Sequence, residues 1–175
     1  MTYTTYMESP VGPLLLEADE EGLRRVAFSQ VGQAIRLPLP EPLQIAVTQL
    51  AAYFAGDLRT FNLELKLTGT PFQLAVWRAL QDIPYGETTS YGELARRVGT
   101  PKGSRAVGLA NGANPIAIVV PCHRVIGSNG KLTGYGGGLD NKQTLLTLER
   151  RHAGAQAVLD IRPQAPNAGH ARLLR

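Results

Sequence analysis

The first 68 residues alternate between apolar and polar positions in a way that predicts strands followed by a helix. Three short stretches of strand-forming residues are separated by turn residues: 2–8, 14–18 and 23–28. From Leu43 to Ala55 the apolar residues recur at spacings of three and four, which predicts a helix that Gly56 ends. Residues 61–67 alternate strictly and predict a further strand. Together these elements predict a small α+β domain over residues 1–68.

Beyond residue 68 the pattern becomes helical. Two capping boxes predict where helices begin: Thr70–Gln73, with Pro71 at the first helical position, and Ser90–Glu93. The second of these helices should end at Gly99, and a third should start at once at residues 100–101. Two short helices joined by a tight turn are a candidate helix-turn-helix, although many unrelated proteins share that pattern.

The predicted third helix, residues 102–112, has an unusual composition. It contains Gly103, Gly108 and Gly112, and a glycine inside a helix costs ~1 kcal/mol relative to alanine. Small residues suit a helix whose backbone must approach another surface closely, with Arg105 as its one long projecting side chain. The alternative is a poorly formed, loop-like segment, and this stretch alone leaves both open.

The remaining pattern predicts one more strand and one more helix. The apolar run at residues 116–120 predicts a strand that Pro121 ends, because proline cannot continue a central ladder. A last helix is expected near residues 139–151, so residues 69–151 form the second domain. The tail, residues 152–175, is rich in Ala, Pro and Gly and is expected to be peripheral or disordered.

Charge and cysteine content narrow the function classes. The net charge is +4, yet residues 100–175 carry ten Lys/Arg against three Asp/Glu. This bias favours an anionic partner such as nucleic acid, although a solubilising surface would look the same. A single cysteine excludes an internal disulfide, and no Cys/His cluster has zinc-site spacing. With no signal peptide and no apolar run long enough to span a membrane, we expect a cytoplasmic protein.

The single cysteine, Cys122, directly follows Pro121 and precedes His123 and Arg124. A thiol becomes a nucleophile when a base or a cation favours its thiolate. In a regular strand His123 would point away from Cys122, but a backbone turn after Pro121 could bring the two together or let a water bridge them. The alternative is a small apolar residue that fills the core.

Lys142 and Glu149 share a helix face with the apolar Leu145 and Leu146. A carboxylate on that inward face needs a partner, and a histidine ring is a suitable one. Cys122, His123 and Glu149 could then act together, with the acid orienting the imidazole. The alternative is a partly exposed Lys142–Glu149 pair at the edge of the helix.

These motifs resemble one known family, the O6-alkylguanine-DNA alkyltransferases, also called methylated-DNA–protein-cysteine methyltransferases. The shared motifs follow in family order: T-P-F-Q-x-x-V-W, I-P-Y-G-E-T-T-S-Y-G-E-L-A, R-A-V-G-x-A-N-G-x-N-P-I, P-C-H-R-V-I-G and G-L-x-x-K-x-x-L-L-x-x-E. They cover residues 70–149 almost continuously, and residues 1–68 match more loosely. The resemblance implies an α+β protein with a small ribonuclease H-like α/β domain. A winged helix-turn-helix-like domain that carries the active site follows it.

The resemblance also implies direct-reversal DNA repair. The alkyl group of O6-alkylguanine, and of O4-alkylthymine, would pass irreversibly to Cys122, with no cofactor and no metal. His123 would take the thiol proton through a water, Glu149 would orient His123, and Tyr91 would protonate the departing base. The N-terminal domain has no cysteine, so the structural zinc of some relatives cannot be built here in the same way.

Further residues would form the base pocket by the same resemblance: Asn114, Val125, Tyr135, Gly136 and Lys142. The Asn114 side chain would hold the turn that carries the cysteine, and Tyr135 would wall the pocket. The carbonyls of Cys122 and Val125 would accept from the exocyclic amine of the base, and the Gly136 N–H would contact O6. Lys142 would support the site. The three glycines at 136–138 are expected to leave an open rim.

The implied partner is double-stranded DNA, bound by a monomer through the minor groove. The target base must leave the duplex to reach the thiol, and Arg105 would take its place in the stack. Other DNA contacts would come from Ser90, Lys102, Gly103, Ser104 and Gly108. Three rival functions are a Cys-His hydrolase or amidotransferase, a non-catalytic sensor of alkylated bases and a winged-helix regulator.

Overall fold

The computed structural model describes residues 1–32 and 38–160, with side chains as far as residue 154. The N-terminal half contains an antiparallel sheet in the order β1–β2–β3: β1 Tyr3–Met7, β2 Leu14–Asp19 and β3 Gly22–Phe28. Helix α1, Glu41–Ala55, packs one face on this sheet and buries Leu43, Leu50 and Tyr53. The three predicted strands and the predicted helix are therefore confirmed to within a few residues.

The predicted strand at residues 61–67 is wrong, although its apolar side chains do pack against the core. The backbone makes only one bridge, between Leu65 and Leu23 of β3. Farther along the same edge of β3, Val26 makes a bridge to Ile116, which belongs to the C-terminal half. Because two separate segments share one edge, neither has room to form a regular strand.

In the described part of the C-terminal half, four α-helices and two short strands follow one another along the chain. In order they are α2 Pro71–Gln81, β4 Thr89–Ser90, α3 Tyr91–Arg97, α4 Ser104–Gly112, β5 Val125–Ile126 and α5 Leu139–Asp160. Strands β4 and β5 pair in parallel. The indole N–H of Trp77 in α2 donates to the Ala110 carbonyl of α4 at 2.8 Å, which joins the two helices in the interior. One continuous core of buried side chains extends through both halves.

Only the first of the two predicted capping boxes is complete. At α2 the Thr70 hydroxyl accepts from Gln73, and the Gln73 side chain accepts from the Thr70 N–H. At α3 the Ser90 hydroxyl accepts from the Glu93 N–H at 3.1 Å, but the reciprocal bond is missing. The Glu93 carboxylate instead accepts from Arg96 and Arg97 one turn later, because those guanidinium groups carry a full charge.

The glycine-rich third helix exists as α4, so the loop-like alternative is wrong. It begins at Ser104 rather than at residues 100–101, since residues 100–103 form a turn in which the Gly103 N–H donates to the Thr100 carbonyl. A side chain at Gly108 would stand 3.8 Å from the Tyr91 ring. The small face of α4 therefore lies against Tyr91 at the start of α3.

The apolar run at residues 116–120 turns back on itself, so the predicted strand is wrong. Its centre is Ile118, which has a φ of 72°, and the Val119 N–H donates to the Ala117 carbonyl across it. This is a γ-turn, which is rare and strained, and a β-branched residue seldom adopts it. Ile118 and Val120 are completely buried, so packing of the apolar side chains holds the strained backbone in place.

The last helix was predicted to end near Arg151, but α5 continues to Asp160. His152 packs its ring against Gly56, the residue that ends α1. The Arg59 guanidinium also donates to the His152 carbonyl at 2.8 Å. These contacts join α5 to the N-terminal half at His152, the first residue of the tail that was expected to be peripheral or disordered. Residues 161–175 lie outside the described residues.

Gly56 and Gly99 form a matched pair that tests this contact, because each follows a helix with a left-handed φ, of 84° and 77°. A β-carbon at Gly56 would overlap the His152 ring, whereas at Gly99 it would meet nothing within 4 Å. We expect Gly99→Ala to lower the free energy of unfolding by about 1 kcal/mol, from backbone strain alone. Gly56→Ala should lower it by about 3 kcal/mol, from strain plus overlap. Equal losses in urea denaturation would show that the His152 contact adds nothing.

Candidate active site

The cysteine is presented by two consecutive turns. Pro121 has φ −82° and ψ 63°, and the Cys122 N–H donates across it to the Val120 carbonyl at 2.8 Å, which defines an inverse γ-turn. A 3₁₀ turn over Cys122–Arg124 follows at once. In a 3₁₀ turn successive side chains are about 120° apart, so His123 does not point opposite to Cys122 as it would in a strand.

The Cys122 side chain borders a cavity of about 420 Å³. Only 6% of the residue is exposed, so the thiol is reached only through the cavity. Burial raises the pKa of the Cys122 thiol, and the Asn114 side chain and the Lys142 charge oppose this in part. The thiol is therefore protonated at rest and needs a base before it can act as a nucleophile.

His123 lies beside the thiol in sequence and is fully buried. Its Nε2 is 2.7 Å from Glu149 Oε1, while Nδ1 has no hydrogen-bond partner among the described residues. Burial lowers the pKa of the His123 imidazole, with Glu149 acting in the opposite direction. A neutral ring that donates from Nε2 to a carboxylate keeps Nδ1 free of a proton, so Nδ1 is the acceptor available to the thiol.

The Glu149 carboxylate is also fully buried and accepts hydrogen bonds from several groups besides His123. Arg124 donates to it twice, from Nε at 2.9 Å and from Nη2 at 3.0 Å. The Gly86 N–H and the Tyr53 hydroxyl donate at 3.1 and 2.7 Å. Burial alone would raise the pKa of Glu149, but the hydrogen bonds and charge of His123 and Arg124 outweigh it and bring the pKa to about 2. The carboxylate is thus an anion that fixes the imidazole and does not itself accept a proton.

Arg124 was not singled out by the sequence analysis, although it belongs to the quoted P-C-H-R motif. Its guanidinium is almost completely buried, pairs with Glu149 and donates from Nη1 to the Ile83 carbonyl at 2.6 Å. A buried carboxylate of low pKa needs such a counter-charge. The signal available in the sequence was a third polar residue directly after the Cys-His pair.

Lys142 is fully buried and makes no ion pair with Glu149, so the alternative of an exposed pair is wrong. Its Nζ donates to the Thr133 carbonyl at 2.9 Å. The Tyr91 and Tyr135 rings lie 5.9 and 5.8 Å from Nζ. Burial lowers the pKa of Lys142. The residue places a positive charge near the thiol and holds the 133–135 segment against α5.

Two asparagines hold the turn that carries the thiol. The Asn114 amide donates to the Val120 carbonyl at 2.8 Å, and its oxygen accepts from the Ile116 N–H at 3.0 Å, which is the structural role expected for it. Asn111, which the sequence analysis missed, donates to the Cys122 carbonyl at 3.4 Å. That carbonyl also accepts from the Val125 N–H. A base amine can reach the Cys122 carbonyl only if it displaces or shares one of these bonds.

The rim of the cavity is less open than the three glycines suggested. A β-carbon at Gly136 would meet nothing within 4 Å, but at Gly137 it would stand 2.5 Å from the Phe28 ring. Phe28, from β3, contacts Tyr135 edge-to-face at 5.5 Å between ring centroids, and Tyr135 lines the cavity as expected. The N-terminal half therefore supplies part of the wall, which no local sequence pattern could indicate.

Tyr91 and the predicted DNA-contacting residues lie together on a neighbouring surface. Tyr91, Ser104, Arg105 and Gly108 line a shallow hollow along α4, separate from the residues that line the cavity. Lys102, Ser104 and Arg105 are exposed, and Ser90 caps α3 beneath them. The Tyr91 hydroxyl donates to the Thr133 carbonyl at 3.4 Å, the same oxygen that Lys142 contacts. This shared carbonyl connects the hollow to the thiol site.

The described residues contain no group of three His, Cys, Asp or Glu side chains that could hold a metal ion. Within the same ranges no helix is long and apolar enough to cross a bilayer.

Two family models match almost the whole described chain. The "6-O-methylguanine DNA methyltransferase, ribonuclease-like domain" matches residues 1–67, and the "6-O-methylguanine DNA methyltransferase, DNA binding domain" matches residues 71–151. The chain belongs to the 6-O-methylguanine DNA methyltransferase family. Its two-domain α+β fold, predicted from the resemblance, is confirmed.

Individual members of this methyltransferase family are similar over most of their length. The methylated-DNA–protein-cysteine methyltransferase of Mycolicibacterium paratuberculosis is 68% identical over 157 residues, which cover 87% of this chain and 95% of that protein. The crystal structure of the Mycobacterium tuberculosis O6-methylguanine methyltransferase has a TM-score of 0.81 at 50% identity and covers 91% and 99% of the two chains. A second Mycobacterium tuberculosis structure, titled OGT in complex with DNA, has a TM-score of 0.77 at 52% identity over 90% and 98%.

The low pKa of Glu149 predicts how the stability of this methyltransferase depends on pH. A folded-state pKa of about 2 against an ordinary 4.5 contributes about 3 kcal/mol above pH 4.5, which is lost as the pH falls towards 2. Glu149→Gln should therefore lower the free energy of unfolding by about 3 kcal/mol or more at pH 7. The difference in free energy of unfolding between Glu149→Gln and the wild type should become smaller when urea denaturation is repeated at pH 3.

Glu93→Gln is the control, because the Glu93 carboxylate is exposed and pairs with arginines on the surface. It should change the free energy of unfolding by less than about 1 kcal/mol at either pH. A Glu149→Gln gap that is the same at pH 7 and pH 3 would contradict the assignment of an ionised, stabilising carboxylate.

Proposed function

We propose that this protein repairs O6-alkylguanine in DNA by transferring the alkyl group to its own Cys122, once per molecule. The single observation that carries the proposal is the position of the only cysteine in the sequence. The curated relatives are named methylated-DNA–protein-cysteine methyltransferases, so a cysteine of the protein must accept the group. Here the one cysteine borders a cavity, next to a neutral imidazole with a free nitrogen.

The reaction is a single displacement at carbon. His123 Nδ1 accepts the thiol proton through a water, and the sulfur of Cys122 attacks the alkyl carbon. The S–C bond forms as the C–O6 bond breaks, and its electron pair leaves with the guanine. Tyr91, whose hydroxyl donates to the Thr133 carbonyl between the hollow and the thiol site, is assigned the proton for the departing base, which restores guanine in the DNA. The proton held on His123 then returns through water to the Tyr91 phenolate, so no charge is left on the protein. Glu149 remains ionised throughout and stabilises the imidazolium that forms on His123.

The product is a thioether, which is chemically stable. Among the described residues we assign no group to the removal of the alkyl group from sulfur, and the displacement as proposed uses no cofactor or metal. The protein is therefore consumed stoichiometrically. O4-alkylthymine presents the same alkyl–oxygen bond to the thiol and is the second substrate class we assign.

The DNA partner is proposed to bind as a duplex along α4. The hollow is lined by Tyr91, Ser104, Arg105, Gly108 and Leu109. The small Ser104 and Gly108 suit close approach to the minor groove, and the exposed Arg105 can enter the stack. The base then rotates out of the duplex into the cavity beside Cys122. Lys102, Gly103, Ser104 and Ser90 lie at the start of α4 and α3, where phosphates can contact them.

In the cavity the base would be held by the residues around the thiol. The Val125 carbonyl and the Gly136 N–H are the backbone groups assigned to its amine and to O6, Tyr135 forms a wall, and Lys142 supports the wall from behind. We propose a monomer as the acting unit. A reducing cytoplasm suits a reaction that needs a free thiol.

Intact-protein mass spectrometry tests the proposal directly. After incubation with a duplex that contains one O6-methylguanine, the wild type should gain ~14 Da, the mass of one methyl group replacing a hydrogen, on Cys122. Cys122→Ser should gain nothing, because a serine hydroxyl is far less nucleophilic than a thiolate. Release of methanol with no adduct, or many turnovers per molecule, would favour the hydrolase reading and refute the proposal. Binding of the O6-methylguanine duplex without an adduct on Cys122 would favour a non-catalytic sensor of alkylated bases.

A further inference from the structure

Tyr53 brings a hydroxyl group from the N-terminal domain to the carboxylate that binds the active-site imidazole. It lies in α1 and is fully buried. Its hydroxyl donates to Glu149 Oε1 at 2.7 Å, the same oxygen that His123 Nε2 contacts at 2.7 Å. One carboxylate oxygen therefore joins a residue of the first domain to the proposed base of the second.

The hydroxyl of Tyr53 can act only as a donor here. Burial and the charge of Glu149 raise the pKa of this phenol far above its ordinary value, so it stays protonated. The ring is held on several sides by aromatic neighbours, with Phe54, Phe61 and Tyr85 at centroid distances of 5.3, 5.4 and 6.0 Å. A ring fixed in this way sets the position of its hydroxyl and, through it, of Oε1.

The other donors to Glu149 cannot replace Tyr53. Arg124 and the Gly86 N–H belong to the C-terminal domain, and two of their three bonds go to Oε2. Oε1 receives Tyr53, His123 and Arg124 Nη2, so Tyr53 competes with His123 for the charge on that oxygen. Without the hydroxyl, more of this charge acts on the imidazole and favours its protonated form.

We propose that Tyr53 is a positioning residue for alkyl transfer, whose hydroxyl holds Glu149 Oε1 in place and keeps His123 a neutral base. The inference rests on the proposed function of Cys122 and His123. It gives the N-terminal domain a direct role in the chemistry, in addition to its contribution to the core.

Few charged or titratable groups surround Tyr53, and Glu149 is the one that accepts a hydrogen bond from its hydroxyl. Glu149 faces it from α5 and Arg124 from the turn after Pro121. Tyr85 faces it from the segment between α2 and β4, with Arg59 over the Tyr85 ring at 5.6 Å. Burial raises the pKa of Tyr85 above its ordinary value, so a change in the acid limb of the pH profile reports on the His123–Glu149 pair.

Tyr53→Phe removes only the hydroxyl, and Tyr85→Phe is the matched control. The Tyr85 hydroxyl is also buried but has no hydrogen-bond partner among the described residues. In single-turnover transfer from O6-methylguanine duplex, we expect Tyr53→Phe to slow methylation of Cys122 about tenfold, the scale set by losing one hydrogen bond to a charged group. DNA affinity should be unchanged. The acid limb of its rate–pH profile should move to higher pH, because His123 is protonated more readily. Tyr85→Phe should match the wild type in rate and profile.

The outcomes separate this inference from the function on which it rests. If the wild type forms no Cys122 adduct, the proposed function fails. If the wild type reacts and Tyr53→Phe keeps both its rate and its acid limb, only the role of Tyr53 fails. A slower rate with an unmoved acid limb would mean that Tyr53 supports packing alone and would also overturn the inference.

Should Tyr53→Phe not fold cooperatively in urea, the wild-type proton NMR spectrum provides a second test. The Tyr53 hydroxyl and His123 Nε2 protons should both appear as slowly exchanging, low-field resonances with a cross-peak between them. Their absence from a folded wild-type sample would overturn the inference.

Discussion

The buried carboxylate of Glu149 is the interaction on which the rest of the site depends. An ionised carboxylate can remain in a protein interior only when hydrogen bonds and a counter-charge replace its water. Here the donors come from α1, from the segment between α2 and β4, and from the turn after Pro121, while the acid itself belongs to α5. Satisfying one charge thus fixes four parts of the chain relative to one another, and His123 is held as a consequence.

Strained backbone lies four residues before the thiol, at Ile118. Cys122 follows a γ-turn at Ile118 and an inverse γ-turn at Pro121. The chain on both sides of these turns is fixed by stronger interactions. Buried apolar side chains fix it before the turns, and the Arg124–Glu149 pair fixes it after them. The two anchors place a short turn, which would otherwise relax, with its thiol at the cavity. Strain that persists beside a reactive group is characteristic of functional sites.

Local patterns in the sequence predicted the helices and the first sheet, because each depends on neighbours a few positions away. The pocket residues were expected from the family resemblance. Local patterns failed where distant segments compete. Residues 61–67 and 116–117 both reach the edge of β3, so two strands predicted from good local patterns became single bridges. Tyr53, Phe28 and Arg124 were missed for a related reason. A tyrosine or phenylalanine at a core position looks apolar, and only the fold shows that Tyr53 also donates to Glu149.

The central claim is that Glu149 is an anion shared by both domains, and its own titration tests this most directly. Carbon-13 NMR of the side-chain carboxyl of Glu149, assigned by comparison with Glu149→Gln, should show a group that is ionised at neutral pH and has its protonation midpoint at about pH 2. A midpoint at or above the ordinary value of 4.5 would mean that the five hydrogen bonds do not outweigh burial. It would contradict the account of how His123 is held.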